Sequence, residues 1–252
     1  MKYQSLHQHL FFSIGVSETF VFSPVDRWEI PKPPYVSLNI PDLIGPLSTS
    51  FSRTLERISI NFSYLDIISG LADPHLVLGF EAVAPLLSFN RLTELELNFF
   101  CTSAIDDAAL KIMAQSWPQL EHFRFGGATK RLDLPLLTFR GLVYLIQHCR
   151  YLQVIEMCFS AFSIDTNCEP FSKTIPNENI TSIAVGFSPI VNPTAVACQL
   201  HMLLPNLTRL RTTSNKLPPP FERNQAEWKE VEKLLVVFAK CAEMKDGMGQ
   251  MS

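Results

Sequence analysis

Apolar residues recur along this chain in two alternating rhythms. The first is a short phrase in which one large apolar residue is followed by two more, three and five positions on. It reads Tyr35-Leu38-Ile40, Leu55-Ile58-Ile60, Leu92-Leu95-Leu97, Leu120-Phe123-Phe125, Leu152-Ile155-Met157, Ile180-Ile183-Val185 and Leu207-Leu210-Thr212. The spacing of two at its end puts both side chains on one face of a β-strand. Between copies a period of three to four takes over, which is the signature of an amphipathic helix. Ile105, Ala109, Ile112, Met113 and Ala114 share roughly one face, with Asp106 to cap the start and Trp117-Pro118 to end the helix. A shorter helix is predicted over about 80–88, carrying Phe80, Val83, Ala84 and Leu87. Thr138 caps a helix that carries Leu142, Leu145, Ile146 and Cys149, and Asn192-Pro193 opens the next. A last helix is predicted over about 225–240 with Asn224 as its cap. Its stripe is Trp228, Val231, Leu234, Leu235 and Phe238, and Glu227, Lys229, Glu230 and Lys233 lie off it. The stretch 160–179 holds Pro170 and Pro176 and no helical period, so it reads as an extended loop.

From Leu55 onward the phrases begin at residues 55, 92, 120, 152, 180 and 207, steps of 37, 28, 32, 28 and 27 residues. A strand, a turn, a helix or loop and a return to the same strand make one leucine-rich-repeat unit, for which a period of about 20–29 residues is typical. One unit alone buries too few side chains to offset the ordering of its backbone, so neighbours must share faces. The expected fold is α/β, a leucine-rich-repeat solenoid with a curved parallel inner sheet and outer helices and loops. The expected division is 1–34 as an irregular N-terminal cover, 35–223 as the array, and 224–252 as a capping helix and tail. The Tyr35 copy leaves no room for a helix before Leu55, and the Leu207 copy ends on a threonine, as a decayed terminal unit would.

Composition narrows the function. Of 252 residues 47% are apolar, enough for a core, yet no window holds the ~18 uninterrupted apolar residues of a membrane span. The run from Leu10 to Phe22 lacks the basic start and cleavage site of a secretory signal. A net charge of −3 and no basic cluster beyond Lys130-Arg131 argue against nucleic acid. The six cysteines are scattered with no C-x-x-C, which fits small hydrophobes in a reducing compartment and an intracellular location, cytoplasmic or nuclear. His7 and His9 have no third ligand nearby, so no metal site is expected. Nor is a catalytic arrangement or a cofactor. Gly186-Phe187-Ser188-Pro189-Ile190 lacks the closing glycine of a hydrolase elbow, and Asp106-Asp107 is explained by a cap and a first-turn charge.

Several longer phrases carry a family likeness. LTELEL, DDAALKIMAQSWPQL, LTFRGLVYLIQHC, NITSIAVGFSPI, LLPNLTRL and WKEVEKLL, in order from about Phe51 to Ala239, resemble the F-box leucine-rich-repeat proteins of mushroom-forming (basidiomycete) fungi. That resemblance implies the substrate-recognition part of an F-box-type ubiquitin-ligase adaptor, in which the repeats present a protein substrate. An F-box would grip the linker subunit of a cullin–RING ligase, but residues 1–50 do not fit one, so that partner is expected only if an F-box lies upstream. The alternative is a leucine-rich-repeat interaction scaffold, or a truncated fragment, with no ligase connection.

In a parallel array the residues flanking the inner leucines face away from the helices and stack about 4.8 Å apart. They form three rows: Arg57, Glu94, His122, Val154, Ser182, Arg209; then Ser59, Glu96, Arg124, Glu156, Ala184, Arg211; then Asn61, Asn98, Gly126, Cys158, Gly186, Thr213. Arg57, Glu94, Glu96, His122, Arg124, Glu156, Arg209 and Arg211 are the candidate partner-binding residues. Arg124 is expected between Glu96 and Glu156 in a self-paired ladder. Arg209 and Arg211 are expected to have no acid in reach, and so to be free for an acidic partner.

Overall fold

A computed structural model describes residues 10–15, 55–62, 78–98, 102, 104–127, 134–162, 164, 171, 173–212 and 219–249. The Tyr35 phrase, His7, His9, Cys101, Cys168 and Thr213 lie outside the described residues. The elements are β1 (Leu10–Gly15), β2 (Arg57–Phe62), α1 (Phe80–Val83) running into a 3-10 turn (Ala84–Ser88), and β3 (Glu94–Leu97). There follow α2 (Asp107–Ser116), β4 (His122–Phe125), α3 (Phe139–His148), β5 (Val154–Met157), β6 (Ser182–Ala184), α4 (Pro193–Leu203), β7 (Arg209–Arg211) and α5 (Pro219–Gly249). The class is α/β. The seven strands among the described residues lie in one sheet in chain order; β1 is antiparallel to β2, and β2 to β7 run parallel.

Each phrase from Leu55 on places its first residue two positions before a strand and its second residue within it. Ile58, Leu95, Phe123, Ile155, Ile183 and Leu210 stand opposite one another across the sheet, all buried. They share one core with Leu110, Met113, Leu142, Ile146, Val196, Leu200 and Trp228 from the helices. The strand entries repeat in detail. The first leucine's N–H donates to the carbonyl three residues back: Leu92 to Phe89, Leu120 to Trp117, Leu152 to Cys149, Leu207 to Leu204, at 3.1 to 3.2 Å. The next residue donates to its counterpart one unit earlier, from Thr93 to Glu56, Glu121 to Thr93, Gln153 to Glu121, Thr181 to Gln153 and Thr208 to Thr181.

Residues at the tight turn before three of the phrases also join the units, a role the apolar pattern does not reveal. Trp117 Nε1 donates to Leu86 O (3.1 Å), Cys149 Sγ lies 3.5 Å from both Ala114 O and Trp117 O, and Asn177 Nδ2 donates to Cys149 O (3.2 Å). All three residues are fully buried. Burial pushes the Cys149 thiol up to about 12, so it stays protonated and able to donate.

The caps at Asp106, Thr138 and Asn192 form as expected, accepting from Ala109, Arg140 and Ala195 amides. Asp107 does more than supply charge to a first turn. Its carboxylate accepts from the Thr138 amide (2.8 Å) and hydroxyl (2.6 Å), pinning the start of α3 to that of α2. Ile112 is not on the buried face of α2 but 45% exposed. Leu110, Met113 and Ala114 define the packed arc, and Ile112 lies about 200° around the axis from Leu110. Asn224 is not a cap, because α5 already begins at Pro219; its two leading prolines occupy the first turn, where a missing N–H leaves no bond unmade. The N-terminal cover is not wholly irregular. Leu10–Gly15, a β-forming run upstream of the proline cluster, pairs along β2 and covers that edge of the parallel strands.

Between β5 and β6 the described residues contain no α-helix, as the prolines predict. That connection is held by polar contacts. Arg150 donates to Ile175 O (3.1 Å) and Pro176 O (2.6 Å), and Asn179 Nδ2 donates to Arg150 O (2.8 Å).

Candidate protein-binding surface

Strand alternation that sends Leu95, Phe123 and Ile155 into the core sends their neighbours to the other face. The registers place Arg57, Glu94, His122, Val154, Ser182 and Arg209 in one row and Ser59, Glu96, Arg124, Glu156, Ala184 and Arg211 in the next, as expected. Arg57, Arg209 and Arg211 are exposed; Glu94, Glu96, His122, Arg124 and Glu156 are half-buried.

The charge pairing differs from the expected ladder. Arg124 does not bridge Glu96 and Glu156. Its Nη1 lies 3.1 Å from Glu94 Oε1 and 3.8 Å from Glu96 Oε2, so it is drawn toward β3. Arg57 stands 4.0 Å from Glu94, and Ser59 Oγ donates to Glu96 (3.0 Å). Arg57, Glu94, Glu96 and Arg124 thus make a balanced cluster over β2 to β4.

Glu156 is engaged elsewhere. Asn98 Nδ2 donates to its Oε1 (2.8 Å), while Asn98 Oδ1 accepts from the Gly127 amide (3.1 Å). A side chain on Gly127 would collide with Glu156 Cγ, so the glutamate stem lies against bare backbone. The expectation that Arg211 has no acid in reach is corrected: its Nη2 lies 3.9 Å from Glu156 Oε2. The two residues are not on adjacent strands. Ala184 stands between them, and its short methyl lets the arginine cross a whole strand. Arg209 has no such partner; among the described residues no carboxylate lies within ion-pair distance of it.

The third row starts within β2 at Asn61 and then passes into the turns that follow the strands. Asn98 is a buried clamp, and Gly126 (φ 70°) and Gly186 (φ 55°) occupy the left-handed region that favours glycine. A Cβ on Gly186 would also stand 2.5 Å from Cys158 Sγ and 2.6 Å from Gly127 O.

Among the described residues no group of three or more His, Cys, Asp or Glu could hold a metal ion, and no helix is long and apolar enough to cross a membrane. A pocket of about 240 Å³ lies between α4 and α5, lined by His201, Phe238, Cys241 and Ala242. The His201 ring packs against Phe238 at 5.6 Å. No family model and no curated protein matches this chain.

Proposed function

We propose that this chain is a leucine-rich-repeat solenoid that binds another protein through the polar face of its sheet, as the substrate-recognition part of an F-box-type ubiquitin-ligase adaptor. The observation that carries the binding role is the pair of in-register rows, which present one or two polar side chains per strand at a fixed spacing. Such a surface recognises an extended or irregular partner by many small contacts, without reaction chemistry. Mixed charge, with glutamates between arginines, suits a protein partner better than a phosphate backbone. The six scattered cysteines, with no C-x-x-C, suit an intracellular setting, cytoplasmic or nuclear. The ligase role rests on the resemblance of LTELEL and the phrases after it to fungal F-box repeat proteins. The rival reading keeps the binding face and drops the ligase.

Two experiments test the two parts. A photo-crosslinking residue placed at His122 or Arg209 on the sheet face, against one at Lys111 or Arg140 on the helical side, should capture protein partners from the sheet positions alone. Equal capture from both sides refutes the face assignment. Sequencing the transcript upstream of Met1 for an in-frame F-box, then testing whether that longer chain retains the linker subunit, decides the ligase role separately.

A further inference from the structure

We infer that the β7 end of this face is a binding site for an acidic peptide segment, and that Glu156 is a built-in competitor for it. The inference rests on the reading of the sheet face as the binding surface. Over β2 to β4 the charges are matched, two arginines against two glutamates within 4.0 Å of one another. Over β5 to β7 they are not: one glutamate, Glu156, stands against two arginines, and it reaches only Arg211. Arg209 is exposed and Arg211 has a side chain 57% exposed, so both can turn toward an incoming carboxylate. They stand two residues apart on one strand face, which matches the side-chain repeat of an extended peptide.

Glu156 is held for the competing role. Asn98 fixes one carboxylate oxygen, Gly127 provides the bare backbone under its stem, and the other oxygen meets Arg211 across Ala184. At 3.9 Å that contact is loose, and a peptide carboxylate able to make a shorter, bidentate bond displaces it. The internal glutamate therefore raises the threshold for binding and favours segments with more than one acidic side chain.

The probe is a fluorescein-labelled decaglutamate peptide, with decaglutamine as control, measured by anisotropy on the full chain at low and high salt. Decaglutamate should bind at low salt and weaken as salt rises; decaglutamine should not bind. Arg209→Ala with Arg211→Ala should weaken binding about tenfold or more, with only the slight change in melting that loss of one loose, exposed ion pair brings. Glu156→Gln keeps an oxygen for Asn98 to donate to and removes the charge, so it should tighten binding about two- to fivefold, the range of a weak exposed pair. That gain should shrink in the Arg211→Ala background. Weaker or unchanged binding in Glu156→Gln overturns the competitor role, and so does a gain that persists without Arg211. Normal binding in the double arginine variant overturns the site. Failure of decaglutamate to bind while sheet-face crosslinks to proteins persist sinks this inference and leaves the binding face standing.

Discussion

The two faces of the sheet carry the same period and obey different physics. On the helical side the inward residues are interchangeable in kind. Ile58, Leu95, Phe123 and Ile155 differ in shape, yet all are buried and each meets its counterpart in the next strand. On the polar side no two positions are alike. Arg124 leans back to Glu94, Glu156 is taken by Asn98, and Arg211 reaches over a neighbour. Hydrophobic burial is non-directional, so a pattern suffices to specify it. Ion pairs between long side chains depend on who else is within reach, so a row of letters does not specify them. The core face should be intolerant of change and the polar face permissive.

The sharpest way to break that contrast is a charge on the core side. Leu95→Asp buries a carboxylate with no cation at hand and should cost about 3–5 kcal/mol, enough to unfold β3 and its neighbours. Denaturant unfolding followed by circular dichroism reads it. An unchanged midpoint would mean Leu95 does not face the core.

Next in size are the buried polar ties at the turns. Asn177→Ala removes the donor to Cys149 O and the acceptor for the Asn179 amide, and should cost about 1–3 kcal/mol. Asn179→Ala, exposed and holding only Arg150 O, should cost about 0.5 kcal/mol. Hydrogen exchange over 173–179 should rise more in the first variant. Equal effects from both would put the turn ties on the same footing as surface contacts.

A third test uses pH. The Cys149 thiol is pushed up to about 12 in the fold from an ordinary value of 9.0. Above about pH 9 the unfolded chain loses this proton and the folded one keeps it, so the unfolded state binds fewer protons and stability falls as pH rises. The fall should run at roughly 1.4 kcal/mol per pH unit and level off near 12. Below 9 both states are protonated and the thiol contributes no pH dependence. Cys149→Ala should lose that alkaline slope, seen as converging denaturation midpoints of the two proteins. Parallel curves would mean the thiol ionises freely in the fold.

Most strands and helix starts were legible because each rests on a local cause. Alternation predicts the strands, and a short polar side chain before an apolar period predicts the caps at Asp106, Thr138 and Asn192. The misreadings share a reason too. Asn224 resembles a cap because a short polar side chain stands just before the apolar period, which does not reach back to Pro219, and β1 is hard to read because a single strand has no repeat to announce it. Trp117, Cys149 and Asn177 share a position three residues before a phrase, but one is aromatic, one a thiol and one an amide. Their common act, donating to the unit before, has no common letter. Gln199 goes further against the pattern: a polar residue of α4, it is buried, and among the described residues neither amide atom has a hydrogen-bond partner. On the polar face the registers follow from the spacing of the phrases, while the partners follow from reach. Ala184 interrupts the charged row, and that short side chain is what lets Arg211 through to Glu156.

The smallest expected effect tests the permissive side. Arg124→Ala leaves Glu94 with Arg57 at 4.0 Å and Glu96 with the Ser59 hydroxyl, so neither carboxylate is stranded. The three side chains of the pair and its bridge are each about a quarter exposed, and solvent shares the charge. The loss should be about 0.5–1 kcal/mol at low salt and less at high salt. A second variant separates charge from packing, because an arginine stem also covers its neighbours. Arg124→Met keeps most of that stem without the charge. If the ion pairs carry the effect, Met and Ala should melt alike and converge on the parent protein as salt rises. If the stem carries it, Met should match the parent at every salt concentration and Ala should fall short by the same amount throughout. A loss of several kcal/mol in either variant would remove the contrast between the faces, making Arg124 as fixed a part of the fold as Leu95.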